Sequence, residues 1–346
     1  AAIPKLKGMF AFVFHDRERN RWIAARDHFG IKPLYYATLE DELVFASEIK
    51  ALLRHPDIQA ARDERALHQY LALQFCLDDR TLFTGIRKIR PGHILVGRGA
   101  TIESDHCYWD TNYQIDQYHT ETYFNDQLRA LLEDSMRLQL RADVPVGGYL
   151  SGGIDSSLVC SLASRGLDAS LPMFHGRFAE GADYDESQHA KALSAFANGT
   201  YHEIVPSAEQ FVDQLPGLIY ALDEPLAGPG LFPQFAVSKL AREHVTVVLG
   251  GQGWDEIFGG YARYLVGYLE QALKGAILET QEEGQHLVTL ESIIPNLALL
   301  KQYTPMLSNF WSQDLFGEMD ARYFHLIDRS QGLNRLLHPD ALAEFD

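Results

Sequence analysis

Two loops hold the residues whose types and spacing could do chemistry. The first is Ser151-Gly152-Gly153-Ile154-Asp155-Ser156-Ser157. Its glycines let the backbone approach a ligand closely, and its hydroxyls add donors. A helix beginning here would aim unpaired N–H groups and the positive end of its dipole at an anion such as a phosphate. Asp155 alone would repel that phosphate. It makes sense if Mg2+ lies between them, because Mg2+ takes one or two carboxylates together with phosphate oxygens. The plainer reading is a turn in which Ser151 or Asp155 caps a helix. The second loop is Gly250-Gly251-Gln252-Gly253-Trp254-Asp255-Glu256-Ile257-Phe258-Gly259-Gly260-Tyr261. It brings a second carboxylate, Asp255, suited to the same cation. No Gly-Lys-Ser/Thr follows the first loop, so it is not a Walker loop, and it is not a GxGxxG fingerprint.

Loops of this kind need strands behind them. Val144–Leu150 reads as a strand directly before the first loop, with a helix over Ser156–Arg165 after it. Alternation continues with a strand at Pro172–Phe178, a helix at Glu186–Ala197 and a strand at Tyr201–Val205. Helices at Phe211–Leu222 and Pro233–Glu243 follow, then the β-branched strand Val245–Leu249 directly before the second loop. Such alternation implies a parallel sheet with helices on both faces, where ligands bind beyond the carboxyl ends of the strands. Two such loops, each at a strand end, weigh against two plain capped turns. Upstream, residues 1 to about 110 read as mostly strand. Met9–Phe14 is an apolar run ended by a turn at His15-Asp16, and Trp22–Ala25 makes a hairpin with it. Leu34–Ala37 pairs with Leu43–Ala46, and Ser47 is placed to cap a short helix. Tyr123–Leu140 is a long amphipathic helix, and residues 255 to 346 look largely helical.

Composition narrows the function. The chain has 346 residues, 46% apolar and 22% charged, which suits a globular protein of two domains. No apolar run is long enough for a membrane helix, and no signal peptide is expected. Lysine plus arginine total 30 against 47 acidic residues, a formal charge of −17. An acidic surface repels phosphate backbones, so a nucleic-acid partner is not expected. Cys76, Cys107 and Cys160 are few and far apart, which suggests a reducing compartment.

The first loop resembles the PP-loop of ATP pyrophosphatases. Other segments extend the resemblance to one family. Gly8–Phe12, Ala25-Arg26-Asp27-His28-Phe29-Gly30-Ile31-Lys32-Pro33-Leu34-Tyr35-Tyr36 and Phe45–Leu52 look like the second half of an amidotransferase domain. Asp143–Gly147 with the PP-loop, Asp223-Glu224-Pro225 and Asp255–Tyr261 look like a synthetase domain. The chain resembles glutamine-dependent asparagine synthetases over about residues 5–265. The resemblance implies a PP-loop (adenine nucleotide alpha hydrolase-like) α/β domain over 118–346. A partial N-terminal-nucleophile αββα amidotransferase domain would precede it over 1–115.

The resemblance implies an activity as well. The aspartate side chain is adenylated by ATP, pyrophosphate leaves, and ammonia from glutamine displaces AMP. The backbone of Tyr149 and Leu150, with Gly176, Gly250 and Gly251, would hold AMP. Ser151, Gly152, Gly153, Asp155 and Ser156 would hold pyrophosphate, and Asp155 and Asp255 would bind Mg2+. Similar proteins are cytoplasmic and often dimeric, which implies a homodimer. Three departures stand out. Position 1 is Ala where the family's glutaminase has an N-terminal cysteine, so no glutaminase activity is expected of this chain. The family's Ser-Gly-Glu-Gly is Gly250-Gly251-Gln252-Gly253 here, so the residue linked to acyl-adenylate formation is an uncharged Gln252. No downstream basic residue matches the family's phosphate-steadying one, which suggests a chain truncated at its C-terminus. Two rival readings follow: an amidating ligase of the same fold acting on another carboxylate in secondary metabolism or polysaccharide tailoring, and a non-catalytic nucleotide-binding scaffold. Beside Gly176, Arg177 could meet a phosphate or carboxylate, or pair on the surface with Glu180 or Asp183.

Overall fold

The computed structural model describes residues 2–114, 116, 118–177, 185–225, 228, 230–278, 293–330 and 333. They fall into two compact units. The first takes the chain up to residue 115, then 219–227 and the stretch from 328. The second takes 116–218 and 228–327. Sequence patterning gives no sign of the excursion at 219–227.

The first unit is antiparallel β. Strands β1 (Ala11–Asp16), β2 (Arg21–Arg26), β3 (Tyr35–Thr38), β4 (Leu43–Ala46), β5 (Ile86–Lys88), β6 (His93–Arg98) and β7 (Thr101–Cys107) form two sheets, ordered β1-β2-β6-β7 and β4-β3-β5. Trp22, Leu34, Ile89 and Leu95 pack one core, and Ala37, Ile49, Leu52 and Ile86 another. The expected turn at His15-Asp16 lies later. β1 runs through Asp16, with His15 opposite Trp22, and the Asp16 carboxylate accepts the amides of Glu18 and Arg19 to make the turn. Helix α2 (Glu64–Leu73) is capped by Asp63, which accepts the Ala66 amide at 2.9 Å. The short helix α1 (Ile49–Leu52) has no side-chain cap from Ser47 or Glu48; its first amides go to Asp223 instead.

The second unit opens with α3 (Glu121–Gln139), capped by Thr120. A parallel sheet follows, of β8 (Val146–Tyr149), β9 (Pro172–Gly176), β10 (Thr200–Ile204) and β11 (Val247–Leu249), ordered β10-β9-β8-β11. Between them run α4 (Ile154–Arg165), α5 (Ser187–Phe196), α6 (Ala208–Leu222) and α7 (Leu231–Arg242). Met136, Leu150, Val159, Cys160, Leu171, Met173 and Leu249 fill one face, and Phe174, Val237, Ala241 and Val245 the other. The chain steps from β8 to β9 and β10 in one direction and returns to place β11 on the other side of β8. The strand order therefore reverses at β8/β11, the position where open α/β sheets leave a crevice for ligands. After α8 (Trp254–Phe258), helices α9 (Ala262–Leu278), α10 (Thr304–Phe310) and α11 (Met319–Ile327) pack around Val266, Leu269, Leu300 and Phe310. Among the described residues, no helix is long and apolar enough to cross a membrane.

Candidate active site

Both glycine-rich loops emerge at the reversal point. β8 ends at Tyr149, and the chain turns through Leu150–Gly153 into α4. Gly152 holds φ +99°, and a Cβ there would come within 2.7 Å of the Glu186 carbonyl oxygen, so the turn needs glycine twice over. The N-cap residue of α4 is Gly153, with no side-chain cap. The capping expected of Ser151 or Asp155 is therefore not made. Ser156 Oγ instead ties the turn together: it accepts the Ser151 amide at 3.1 Å, meets Ser151 Oγ at 2.9 Å and donates to the Gly153 carbonyl at 3.2 Å. The first amides of α4 keep their outward donors, and Asp155 in the first turn makes no side-chain hydrogen bond among the described residues.

β11 ends at Leu249, and Gly250-Gly251 follow at once. A Cβ on Gly251 would lie 2.9 Å from the Ser156 amide nitrogen and 3.0 Å from Asp155 Cβ. The second loop therefore presses on the first turn of α4. Asp255 stands in the first turn of α8, behind Gly253. Burial pushes the Asp155 carboxyl above the usual range, and the negative charge of Asp255 pushes it the same way. Two carboxylates from loops after separate strands thus repel each other. Hard oxygen donors so arranged fit Mg2+, whose charge would relieve the repulsion.

Gln252, Gln234, Tyr149 and Ser238 supply uncharged polar groups beside the loops. Gln252 folds back over Gly250 and donates from Nε2 to Gln234 Oε1 at 3.2 Å. Tyr149 OH meets Ser238 Oγ at 2.7 Å, and Ser238 donates to the Gln234 carbonyl at 2.6 Å. Sequence reasoning missed Gln234 and Ser238. The available signal was their spacing of four on α7, which puts two polar residues on one stripe of a largely apolar helix. Gly176 ends β9 and faces α7, where a Cβ would crowd Val237 Cγ2 at 2.8 Å. Arg177 pairs with Glu203 at 3.3 Å, while Glu180 and Asp183 lie outside the described residues. Tyr149, Leu150, Ser151, Gly152, Gly153, Asp155, Ser156, Gly250, Gly251, Gln252 and Asp255 thus gather at β8/β11, with Gly176 one strand over.

Another cluster among the described residues, Glu42, His55 and Asp57, brings three potential ligand atoms within 4.8 Å of one another. His55 Nδ1 accepts the Asp57 amide at 3.3 Å and its Nε2 faces Glu42 at 3.1 Å. Both ring nitrogens are taken up by these contacts, so the cluster is accounted for as a surface hydrogen-bonded group. Cys76 and Cys160 are buried, and burial pushes their thiols up to about 11 and about 12.

Comparison with known proteins identifies the family. Residues 127–337 match the asparagine synthase family model, and residues 1–109 match the glutamine amidotransferase domain. The chain is 38% identical over 264 residues to asparagine synthetase [glutamine-hydrolyzing] 1 of Bacillus subtilis, covering 76% of this chain and 41% of that protein. It is 39% identical over 274 residues to a putative asparagine synthetase [glutamine-hydrolyzing] of Mycobacterium tuberculosis, with the same coverage. It is also 32% identical over 326 residues to amidase chry2 of Gibberella zeae, covering 88% of this chain and 47% of that protein. The chain spans about half the length of the curated relatives it matches. With the family model covering most of the parallel-sheet unit and both glycine loops, the chain belongs to the asparagine synthase family.

Proposed function

We propose that the protein is an ATP-dependent carbon–nitrogen ligase that adenylates the side-chain carboxylate of aspartate and converts it to an amide. Residues 118–346 form the synthetase part. Residues 1–115 belong to an amidotransferase part, whose glutamine-derived ammonia is the nitrogen source. One observation carries the reading: the loop that leads to Asp255 presses on the first turn of α4 at Asp155, beside the uncapped start of that helix.

Tyr149, Leu150, Gly176, Gly250 and Gly251 line the place for AMP. Ser151, Gly152, Gly153 and Ser156 offer backbone and hydroxyl donors to the leaving pyrophosphate. Asp155 and Asp255 would hold Mg2+, which when bound offsets the charge gathering on the phosphates. A carboxylate oxygen of the acid attacks the α-phosphorus and the bond to pyrophosphate breaks. Ammonia then attacks the acyl carbon, AMP leaves, and the amide nitrogen sheds its proton. The chain's contribution is to orient the acid in line and to exclude water.

Aspartate-dependent exchange of labelled pyrophosphate into ATP by the full-length protein tests this. The expected result is exchange that needs aspartate and Mg2+ and is lost in Asp155→Asn. Silence with aspartate, while Mg-ATP still binds, would point to a different acid. The Gln252–Gln234 amide pair favours that second reading. Two amides can hydrogen-bond a substrate but cannot neutralise an ammonium group. A panel of acids without a free amine, in the same exchange assay, separates the two.

A further inference from the structure

We infer that His175 is a positioning residue for the phosphate-binding turn and acts through the carbonyl of Leu150. The inference rests on the nucleotide-binding reading above. His175 is 2% exposed, and its Nδ1 lies 2.7 Å from the Leu150 oxygen. A carbonyl can only accept, so Nδ1 carries the proton. Leu150 is the residue between the last ladder position of β8 and the turn. Its amide donates to the Phe174 carbonyl at 2.9 Å, and its oxygen goes to the next side chain along β9. Both halves of Leu150 are therefore fixed by consecutive residues of the neighbouring strand.

Packing alone does not ask for histidine here. Met173 lies on the same side of β9, two residues back, and sits in a wholly apolar cluster with Leu150 and Cys160. An apolar side chain at 175 would fill the space but leave the Leu150 oxygen buried without a donor. Burying an unpaired carbonyl is costly enough to rotate the peptide toward another donor. The next residues, Ser151 and Gly152, have little room to absorb such a rotation. Gly152 already holds a positive φ and lies against Glu186, at the start of α5. A shift at Leu150 therefore moves the turn whose amides and hydroxyls would meet the phosphates. The ring's other nitrogen, Nε2, is buried and has no partner among the described residues, so Nδ1 is the atom that acts.

Three substitutions in the full-length protein separate this role from simple filling. His175→Asn places an amide N–H where Nδ1 is, His175→Gln places one where Nε2 is, and His175→Leu keeps bulk alone. Calorimetric titration with Mg-ATP and the ATP dependence of pyrophosphate exchange are read together. The expected result is ~10-fold weaker Mg-ATP binding in His175→Leu and His175→Gln, the effect of losing one buried hydrogen bond. His175→Asn should stay within about threefold of the parent. KM for ATP should move more than kcat. Unchanged binding in His175→Leu, or no difference between Asn and Gln, overturns the inference. If His175→Leu does not fold, the Asn–Gln comparison decides. Failure of the parent protein to bind Mg-ATP would overturn the nucleotide reading, and this inference with it.

Discussion

Asp223 forms an ion pair with Lys50 at 2.9 Å and also accepts the amides of Ile49 and Lys50 at 2.7 and 3.1 Å, although 173 residues separate it from Lys50. Four residues cannot hold a helix without outside help. Asp223 supplies that help to α1 from a left-handed position, φ +68°, just past the end of α6. Its neighbour Glu224 accepts the Leu82 amide at 2.7 Å, and burial pushes the Glu224 carboxyl upward. This acidic pair serves backbone donors of the first unit.

Asp223→Ala should therefore destabilise the first unit by about 2–4 kcal/mol, because it removes a helix cap and strands a half-buried Lys50. Asp223→Asn keeps an acceptor for the amides and should cost less. Urea unfolding followed by the fluorescence of Trp22, in the core of that unit, with Trp109, Trp254 and Trp311 replaced by Phe, gives both values.

Asp155 should make the protein's stability depend on pH and Mg2+. Its folded carboxyl is raised, by burial first and by Asp255 second. A raised acid adds nothing unfavourable while it is protonated in both states. The penalty grows as pH rises through the unfolded value near 3.8 and the folded value above it, and is complete beyond that. At neutral pH, Asp155→Asn should melt at or above the parent temperature, with the gain fading in acid. Mg2+ should raise the melting temperature of the parent more than that of the variant. Thermal melts across pH, with and without Mg2+, check both. A lower melting temperature for the variant at neutral pH would contradict the repulsion.

Alanine at the loop glycines should rank by space and φ. Gly152→Ala combines a positive φ with a 2.7 Å approach to the Glu186 carbonyl oxygen and should be the most damaging, at roughly 2–4 kcal/mol. Gly251→Ala pushes on the Asp155–Ser156 backbone at 2.9 Å and should weaken Mg-ATP binding at least ~10-fold while costing roughly 1–3 kcal/mol. Gly153→Ala meets only Ser151 Oγ, at 3.3 Å, and should be the mildest. Melting temperatures and Mg-ATP titrations on the three variants give the order.

Glu270 and Arg322 form a wholly buried pair in the helical part of the second unit. Arg322 donates from Nε to Glu270 Oε1 at 2.8 Å, Glu270 Oε1 also takes the Phe316 amide, and the guanidinium lies over the Phe310 ring. Arg322→Met should cost roughly 3–5 kcal/mol because Glu270 is left buried and unpaired. The double variant Glu270→Leu/Arg322→Met should recover part of that loss. A double-mutant cycle in urea measures the coupling.

Residue order along the chain was enough to read the strand–loop–helix units and the loops that carry the site. Periodicity and glycine placement are local properties, so Val144–Leu150 and Val245–Leu249 were legible as strands with motifs at their ends. The family resemblance is carried by the same short segments. Boundaries moved where side chains made unforeseen local bonds, as Asp16 does in extending β1 past His15.

Tertiary structure decided which elements became neighbours. A period of two or of 3.6 says which face is buried and is silent on what covers it. The placement of β11 beside β8, and so of Asp255 beside Asp155, depends on sheet order. The placement of Gln234 over Gln252, of His175 against Leu150 and of Asp223 at the start of α1 depends on packing between segments far apart in the chain. Each joins a polar group to a partner that no local spacing could name. Buried polar groups must find partners wherever the fold brings them, and only the folded chain shows where that is.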